Sequence, residues 1–277
     1  MTHDKIPLAG VIGAPIAHSK SPRLHQHWLG TLGLSGYYVP LHVEASDLES
    51  ALHTLPKMGF FGVNITVPHK ERVLEIADHV SATAERIGAA NTLTFGREGT
   101  IHADNTDAYG FDQNLRQNAP DWRPSSGPAV VFGAGGAARA IIVALLDAGV
   151  PEIRVANRTR SRAEALKEQF GDRLTIASWE QAGDVLGDAA TVVNTTSLGM
   201  TGQASWTVPL DRLCAGAVVT DLVYAPLETP LLRAAREKGC QCVDGLGMLL
   251  YQGVPGFERW FGMRPDVNQA AREAVLQ

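Results

Sequence analysis

Residues 129–148 read AVVFGAGGAARAIIVALLDA and decide the fold of this chain. Ala129–Phe132 is a continuous apolar run that predicts a buried strand, and Arg139–Ala148 predicts a helix ending before Gly149. The turn that joins them consists of Gly133, Ala134, Gly135, Gly136 and Ala137. Strand, glycine turn and helix are the context of a dinucleotide-binding fingerprint, because glycines admit a pyrophosphate close to the backbone and a helix N-terminus offers free N–H donors. The alternative is a tight turn that binds no ligand.

The segment after the next predicted strand, Glu152–Ala156, indicates which dinucleotide is bound. An NAD-binding protein usually has Asp or Glu here to bind the ribose 2′-hydroxyl. Residues 157–162 instead read NRTRSR and contain no acid. Arginine binds phosphates through charge-assisted hydrogen bonds, so the segment favours NADP, with Arg158 as the strongest candidate. Alternatively, Arg160 and Arg162 lie on the solvated face of the following helix.

Apolar runs alternate with helical stretches along the rest of the chain. We predict further strands at Leu8–Ile12, Tyr37–Leu41, Phe61–Val67 and Ala190–Asn194. We predict further helices at Arg23–Leu29, Asp47–Leu55 and Ala108–Gln117. This alternation predicts an α/β fold with a mostly parallel sheet. Three prolines, two serines and a glycine within residues 118–128 indicate a linker or long turn.

Length and composition restrict the class of protein. A chain of 277 residues is long enough for two domains, and 45% hydrophobic with 19% charged residues excludes disordered, collagen-like and coiled-coil chains. The net charge of −5 provides no broad basic face, so we expect no nucleic-acid or membrane partner. Three cysteines indicate a reducing compartment, and the first residues lack the pattern of a signal peptide, so we expect a cytoplasmic protein.

Four short polar motifs follow apolar runs in the first half of the chain. They are GAPIAHSKSP at 13–22, NITVPHK at 64–70, GAANT at 88–92 and DNTD at 104–107. Ser21 with Pro22 predicts a helix N-cap and first position, and Pro68 similarly predicts that Lys70 lies in a first helical turn. Hydroxyl, amide, carboxylate and ammonium groups at several strand ends suit a small, polyhydroxylated, anionic ligand. The histidines at 18, 25, 27 and 69 lack a metal-binding spacing, so we expect no metal site.

Taken in order, these motifs resemble those of the shikimate dehydrogenase family. The resemblance extends over about residues 10–252 and includes N-x-T-V-P-x-K at 64–70, D-N-T-D at 104–107, the glycine turn, N-R-T at 157–159, N-x-T-x-x-G-M at 194–200, D-x-V-Y-x-P at 221–226 and G-x-G-M-L-x-x-Q at 245–252. It implies an α/β chain with an open substrate-binding domain, residues 1–106 and 241–277, and a Rossmann-type NADP-binding domain, residues 107–240. The implied activity is the reversible NADPH-dependent reduction of 3-dehydroshikimate to shikimate, a step toward aromatic amino acids, by a monomer or homodimer.

The same resemblance implies a role for each matching residue. Lys70 is the catalytic proton donor and acceptor, and Asp107 is its partner. The substrate carboxylate is assigned to Ser19 and Ser21, with Thr66 and Tyr224 as helpers, and the ring hydroxyls to Asn64, Asn91, Asp107 and Gln252. The cofactor is assigned to the glycine turn and to Asn157, Arg158, Thr159, Arg162, Thr195, Leu222, Gly245 and Met248.

Two positions depart from the family pattern. The family often has Asn after the His, whereas Gln26 follows His25 here, and it often has Gly after the Asp, whereas Ala108 follows Asp107. Neither removes a functional group named above. Three other functions stay open: a quinate dehydrogenase or dual-specificity enzyme, a non-catalytic shikimate-binding regulator, and an unrelated Rossmann oxidoreductase. Ser19, Ser21 and the arginine-rich loop favour shikimate and NADP, and Lys70 with the glycine turn argues against the regulator.

Overall fold

A computed structural model describes residues 6–277 of the chain. Its strands are β1 Leu8–Gly13, β2 Tyr37–His42, β3 Phe60–Ile65, β4 His79–Val80, β5 Thr92–Phe95, β6 Ile101–Asp104, β7 Ala129–Phe132, β8 Ile153–Ala156, β9 Leu174–Ala177, β10 Thr191–Asn194, β11 Val218–Asp221 and β12 Gln241–Val243. Its helices are α1 Ser21–Thr31, α2 Leu48–Thr54, α3 Val73–Ile76, α4 Ala82–Ile87, α5 Asp107–Asn118, α6 Gly136–Ala148, α7 Arg160–Phe170, α8 Pro230–Glu237, α9 Leu246–Phe261 and α10 Gln269–Leu276.

The described chain forms two compact units. Unit 1 contains the residues up to Gly110 together with Leu249–Gln277, and unit 2 contains Phe111–Met248. The unit boundaries fall inside α5 and α9, so each of these helices continues from one unit into the other. Among residues 6–277, no helix has the length and apolar character needed to cross a membrane.

Unit 1 contains a six-stranded sheet in the order β2-β1-β3-β5-β6-β4. Only β5 runs against its neighbours, because it pairs antiparallel with both β3 and β6. Apolar side chains such as Ile12, Val63 and Leu93 are fully buried in its core together with Leu48 of α2. The sheet is therefore mostly parallel, as the alternating pattern predicts.

The C-terminal part of unit 1 packs against the first strands and helix. The Trp260 indole Nε1 donates a buried hydrogen bond of 3.0 Å to the Leu93 carbonyl of β5. Gly62 of β3 makes this approach possible, since a Cβ there would lie 2.0 Å from the Trp260 nitrogen. On α1, the Trp28 indole donates to the Asp266 carbonyl at 3.1 Å. Residues separated by more than 150 positions thus share one core.

Unit 2 contains six parallel strands in the order β12-β11-β10-β7-β8-β9. The chain begins this sheet at β7 in the middle, proceeds outward to β9, and then continues on the other side from β10. This is the Rossmann topology, in which a dinucleotide binds at the carboxyl ends of the strands beside the reversal point. The glycine turn follows β7, directly at that reversal, and the predicted fold class is confirmed.

Candidate active site

A close ion pair joins two of the predicted site residues in unit 1. The Lys70 ammonium Nζ lies 2.5 Å from Asp107 Oδ2, although the two residues are 37 positions apart. Only 17% of the Lys70 side chain and 6% of the Asp107 side chain are exposed. Such a pair is weakly screened by solvent, so the carboxylate holds the ammonium in one position.

The predicted position of Lys70 in a first helical turn is wrong. Lys70 lies in a series of turns that follows β3, and α3 begins only at Val73. The Lys70 carbonyl accepts a hydrogen bond of 2.8 Å from the N–H of Ala90, and the N–H of Leu74, four residues after Lys70, donates to the Glu71 carbonyl instead. This bond ties the turn that carries Lys70 to the loop before Asn91.

Hydrogen bonds to the second carboxylate oxygen and to the backbone hold Asp107 in place. Asn91 Nδ2 donates to Asp107 Oδ1 at 2.8 Å. The N–H of Asp107, the first residue of α5, donates to Asn105 Oδ1 at 2.9 Å, and Asn105 in turn donates to the Ala89 carbonyl at 2.8 Å. The carboxylate therefore has one oxygen directed at Asn91 and the other at Lys70.

The same network brings Gln252 of α9 to Asn91. Asn91 Nδ2 lies 3.2 Å from Gln252 Oε1, and the Thr106 hydroxyl donates to the Gln252 backbone carbonyl at 2.8 Å. Thr106 also donates its N–H to Asn91 Oδ1 at 2.8 Å. The structure thus brings together Lys70, Asp107, Asn91 and Gln252, with Thr106 as a link that the sequence analysis did not single out.

Asn64, at the end of β3, joins this cluster through its amide. Its Nδ2 donates to the Asn91 carbonyl at 3.0 Å and to the Thr92 hydroxyl at 3.1 Å. Its Oδ1 accepts a bond of 2.7 Å from the Tyr38 hydroxyl. Sequence reasoning missed Tyr38, because an aromatic residue in a strand is indistinguishable from core until its hydroxyl partner is known.

Ser19, Ser21 and Thr66 lie near the carboxyl ends of the neighbouring strands β1 and β3. The predicted N-cap Ser21 is instead the first residue of α1, and Lys20 precedes it without a capping side-chain bond. The Ser19 hydroxyl accepts from the Ser21 N–H at 3.4 Å, which satisfies one of the free donors of the helix. Thr66 follows β3 and donates its N–H to the Ile12 carbonyl of β1 at 2.9 Å. No hydrogen bond within residues 6–277 links these three side chains to Lys70 or Asp107.

In unit 2 the glycine turn has the geometry of a phosphate cradle. Gly133 has a φ of +111°, and a Cβ there would lie 2.4 Å from the Thr195 hydroxyl oxygen. Thr195 donates that hydroxyl to the Phe132 carbonyl at 2.7 Å, which closes the end of β7. A Cβ on Gly135 would meet nothing within 4 Å, and no side chain caps α6. The backbone is therefore open at a helix N-terminus, which suits a pyrophosphate between the flanking Ala134, Gly136 and Ala137.

The basic segment after β8 is exposed. Asn157 Nδ2 donates to the Thr159 carbonyl at 2.8 Å and shapes the loop that carries Arg158. Arg160 is paired with Glu164 at 2.7 Å on α7, so it lies on the solvated helix face. The guanidinium groups of Arg158 and Arg162 have no partner within residues 6–277. They are free to bind a 2′-phosphate.

The remaining predicted residues of unit 2 lie after β11 and at the start of α9. Gly245 packs so closely on Leu222 that a Cβ would lie 2.4 Å from the Leu222 carbonyl oxygen. Met248 is buried in α9, whereas Tyr224 is half-buried, and this burial raises the pKa of the Tyr224 hydroxyl. The structure thus brings Leu222 and Gly245 together.

A buried carboxylate orders the strand ends near these residues. Asp221, the last residue of β11, accepts hydrogen bonds from Asn194 Nδ2 at 2.8 Å, from the Val223 N–H at 3.0 Å and from the Thr229 hydroxyl at 2.7 Å. Burial raises its pKa to about 6 despite these bonds. Asp221 therefore holds together the ends of β10, β11 and α8.

The buried histidine of the NITVPHK motif makes a backbone contact. Among residues 6–277, no group of three or more His, Cys, Asp or Glu side chains is arranged to hold a metal ion. The ring Nε2 of buried His69 is 2.8 Å from the Val43 carbonyl, a structural contact.

Comparisons with known proteins identify the family of this chain. Three family models match: shikimate dehydrogenase substrate binding domain over residues 11–93, shikimate/quinate 5-dehydrogenase over 117–200, and shikimate 5′-dehydrogenase C-terminal domain over 245–276. The chain is 65% identical over 276 residues to shikimate dehydrogenase (NADP(+)) of Roseobacter denitrificans, with 100% of each chain covered.

Two solved structures extend the comparison. Shikimate 5-dehydrogenase of Thermus thermophilus, in complex with NADP(H) and shikimate, is 40% identical with a TM-score of 0.86, covering 97% of this chain and 98% of that one. Quinate dehydrogenase of Corynebacterium glutamicum, in complex with NAD, is 33% identical with a TM-score of 0.90 and the same coverage. Full-length identity of this degree, with the Lys70–Asp107 pair and the glycine turn in place, means that the chain belongs to the shikimate dehydrogenase family.

Proposed function

We propose that this chain catalyses the reversible, NADPH-dependent reduction of 3-dehydroshikimate to shikimate. The observation that carries the proposal is the ion pair of 2.5 Å between Lys70 and Asp107, which provides a positioned proton donor in a member of this family. We further propose that the reaction takes place in the cytoplasm and that the enzyme is a monomer or homodimer.

The proton chemistry follows from this pair. Reduction of a ketone leaves an alkoxide oxygen that needs a proton, and the Lys70 ammonium carries one. Asp107 aims the ammonium and stabilises its charge. In the oxidation of shikimate the same Lys70, as a neutral amine, accepts the proton of the reacting hydroxyl.

Substrate binding is assigned to the polar groups of unit 1. Ser19, Ser21 and Thr66 bring hydroxyl and backbone donors to the ends of β1 and β3, which suits a carboxylate. Asn64, Asn91 and Gln252 present amide groups to ring hydroxyls. Their hydrogen bonds to one another fix their positions before a ligand arrives, so little side-chain entropy is lost on binding.

Cofactor binding is assigned to unit 2. The open backbone at Gly135 with the uncapped start of α6 fits a pyrophosphate, and the unpaired guanidinium groups of Arg158 and Arg162 fit a 2′-phosphate. Asn157, Thr159 and Thr195 shape these loops, and Leu222, Gly245 and Met248 are assigned to the nicotinamide. The bound cofactor would supply the hydride chemistry, as NADPH for reduction of the ketone and as NADP for oxidation of the alcohol carbon.

A second candidate is quinate oxidation with NAD, because the quinate dehydrogenase of C. glutamicum in complex with NAD has a TM-score of 0.90 to this chain. The absence of Asp or Glu after β8 argues against NAD, since no carboxylate in residues 157–162 is available for a ribose 2′-hydroxyl.

The test is the initial rate of reduced-cofactor formation by purified protein, with shikimate and quinate each combined with NADP and NAD. We expect the highest kcat/KM for shikimate with NADP. A preference for quinate or NAD would contradict the assigned selectivity while leaving the acid–base role of Lys70 intact. If all four combinations are inactive but shikimate binds in calorimetry, the chain is a shikimate-binding regulator.

A further inference from the structure

Tyr38 occupies a buried position directly behind Asn64. It lies on β2, only 4% of it is exposed, and its hydroxyl donates to Asn64 Oδ1 at 2.7 Å. Its neighbour Tyr37 points the other way and is 56% exposed. Alternation along the strand thus sends one tyrosine to the site and the other to solvent.

An aromatic stack fixes the Tyr38 ring. The His25 ring of α1 lies parallel to it, with centroids 3.8 Å apart and an interplanar angle of 13°. His25 is fully buried, and neither of its ring nitrogens has a hydrogen-bond partner within residues 6–277. Burial lowers the pKa of His25 to about 3, so the ring is neutral and serves as a flat packing surface. Burial also raises the pKa of Tyr38 well above its ordinary value, although a hydrogen bond with the Ser21 side chain acts in the opposite direction, and the hydroxyl therefore remains a donor.

The hydrogen-bonding capacity of Asn64 is almost fully used. A side-chain amide has two N–H donors and two carbonyl lone pairs. Both donors are engaged, by the Asn91 carbonyl and the Thr92 hydroxyl, and Tyr38 takes one lone pair. The single position left on Asn64 is therefore an acceptor, which recognises a ligand O–H.

We propose that Tyr38 is a positioning residue for substrate binding, which holds Asn64 so that its one free lone pair accepts a ring hydroxyl of the substrate. The inference rests on the proposed function, since it takes shikimate as the ligand. Because Lys70 serves the reacting oxygen, the hydroxyl held by Asn64 is one that does not react. Tyr38 thus acts on affinity for the alcohol-bearing ring and not on the chemical step.

The test compares Tyr38→Phe with the matched control Tyr37→Phe. Phenylalanine keeps the stack on His25 and removes only the hydroxyl. We expect Tyr38→Phe to raise the KM for shikimate and its calorimetric Kd by about 5- to 30-fold, while kcat and the KM for NADP change by less than about twofold. Tyr37→Phe should match the unsubstituted enzyme in all four values.

A double-mutant cycle separates positioning from a general structural effect. In an Asn64→Ala background, Tyr38→Phe should cause no further loss of shikimate affinity, because its effect passes through Asn64. An equal loss in both backgrounds, or no loss in either, would overturn the proposal. The KM for NADP and a thermal melt establish that each variant is folded. An unsubstituted enzyme that binds shikimate but does not turn it over would contradict the proposed function alone, since the calorimetric comparison still tests Tyr38.

Discussion

At the scale of single residues, the site depends on the Lys70 ammonium, which neighbouring side chains hold in position. Lys70 is fixed from one side by Asp107, which is itself held by Asn91 and by the N–H bond to Asn105. In the proposed mechanism, an ammonium positioned in this way would need no search for its proton acceptor. Removing Asp107 would free the ammonium, whereas removing Lys70 would remove the transferable proton itself.

We predict that Lys70→Ala lowers kcat for shikimate oxidation by about 10²–10⁴-fold, the usual contribution of a positioned proton-transfer group. The KM for shikimate should change much less, because the amide and hydroxyl groups remain. Steady-state kinetics at saturating NADP measures both. The exposed Lys57→Ala variant is the control and should be fully active. A Lys70→Ala enzyme with near-native kcat would rule out the assigned role.

The residue scale also indicates how far sequence reasoning extends. The Lys70–Asp107 pairing was expected only from the family resemblance, because two residues 37 positions apart carry no periodicity that reports their contact. Tyr38 and Thr106 were missed for the same reason. Their partners, Asn64 and Gln252, are reached by hydrogen bonds that only the folded sheet brings into range. Local patterns cannot contain that information.

At the scale of elements, the prediction was best for the strand, glycine turn and helix of residues 129–148. β7 has the predicted bounds, because a run of four fully buried residues is typical of a central parallel strand. α6 begins at Gly136, three residues before the predicted Arg139, since the glycines that suit a phosphate also suit an open helix start. The prediction for Lys70 from Pro68 was wrong, because the N–H of Leu74 donates to the Glu71 carbonyl and α3 begins only at Val73.

The glycine turn yields the second prediction. Gly135→Ala should raise the KM for NADP at least tenfold, equivalent to about 1.4 kcal/mol, because the added methyl occupies the space assigned to the pyrophosphate. The melting temperature should barely change, since that methyl meets no protein atom within 4 Å and the φ of −96° suits alanine. Gly187→Ala, also open and with a φ of −63°, is the control. An unchanged KM would mean that the turn does not hold the cofactor.

The loop after β8 gives a prediction about the choice between NADP and NAD. Arg158→Ala should raise the KM for NADP by about 10- to 100-fold through loss of a charge-assisted hydrogen bond, and should leave the KM for NAD unchanged. Arg160→Ala removes a similar charge that is already paired with Glu164, so it should alter neither value strongly. Initial rates measured with NADP and with NAD at varied concentration give the two KM values. Equal effects on NADP and NAD would show that Arg158 does not read the 2′-phosphate.

At the scale of the whole molecule, a buried carboxylate makes the free energy of unfolding depend on pH. Asp221 has its pKa raised by burial from 3.8 to about 6. Between these values the unfolded chain has already lost the proton that the folded chain keeps, so stability falls as the pH rises through this window. Above about pH 7 the cost reaches about 3 kcal/mol, from about two pH units at 1.36 kcal/mol each.

Asp221→Asn should remove this dependence. Relative to the unsubstituted protein, the variant should gain up to about 3 kcal/mol of stability in going from about pH 4 to about pH 8, because asparagine has no proton to lose. Thermal melts across this range, converted to free energies, measure the difference. The exposed Asp211→Asn serves as the control. A pH-independent difference between variant and parent would contradict the raised pKa.

The position of Trp260 has a consequence for how the protein is made. During synthesis on the ribosome, β3 and β5 emerge long before the segment whose indole bonds to the Leu93 carbonyl and fills the space at Gly62. All of unit 2 is translated in the interval. The residues of unit 2 are thus all present in the nascent chain before Leu249–Gln277, which completes the core of unit 1, has been made. Gln252 arrives with the same segment, so the polar cluster around Asn91 is completed only near the end of translation.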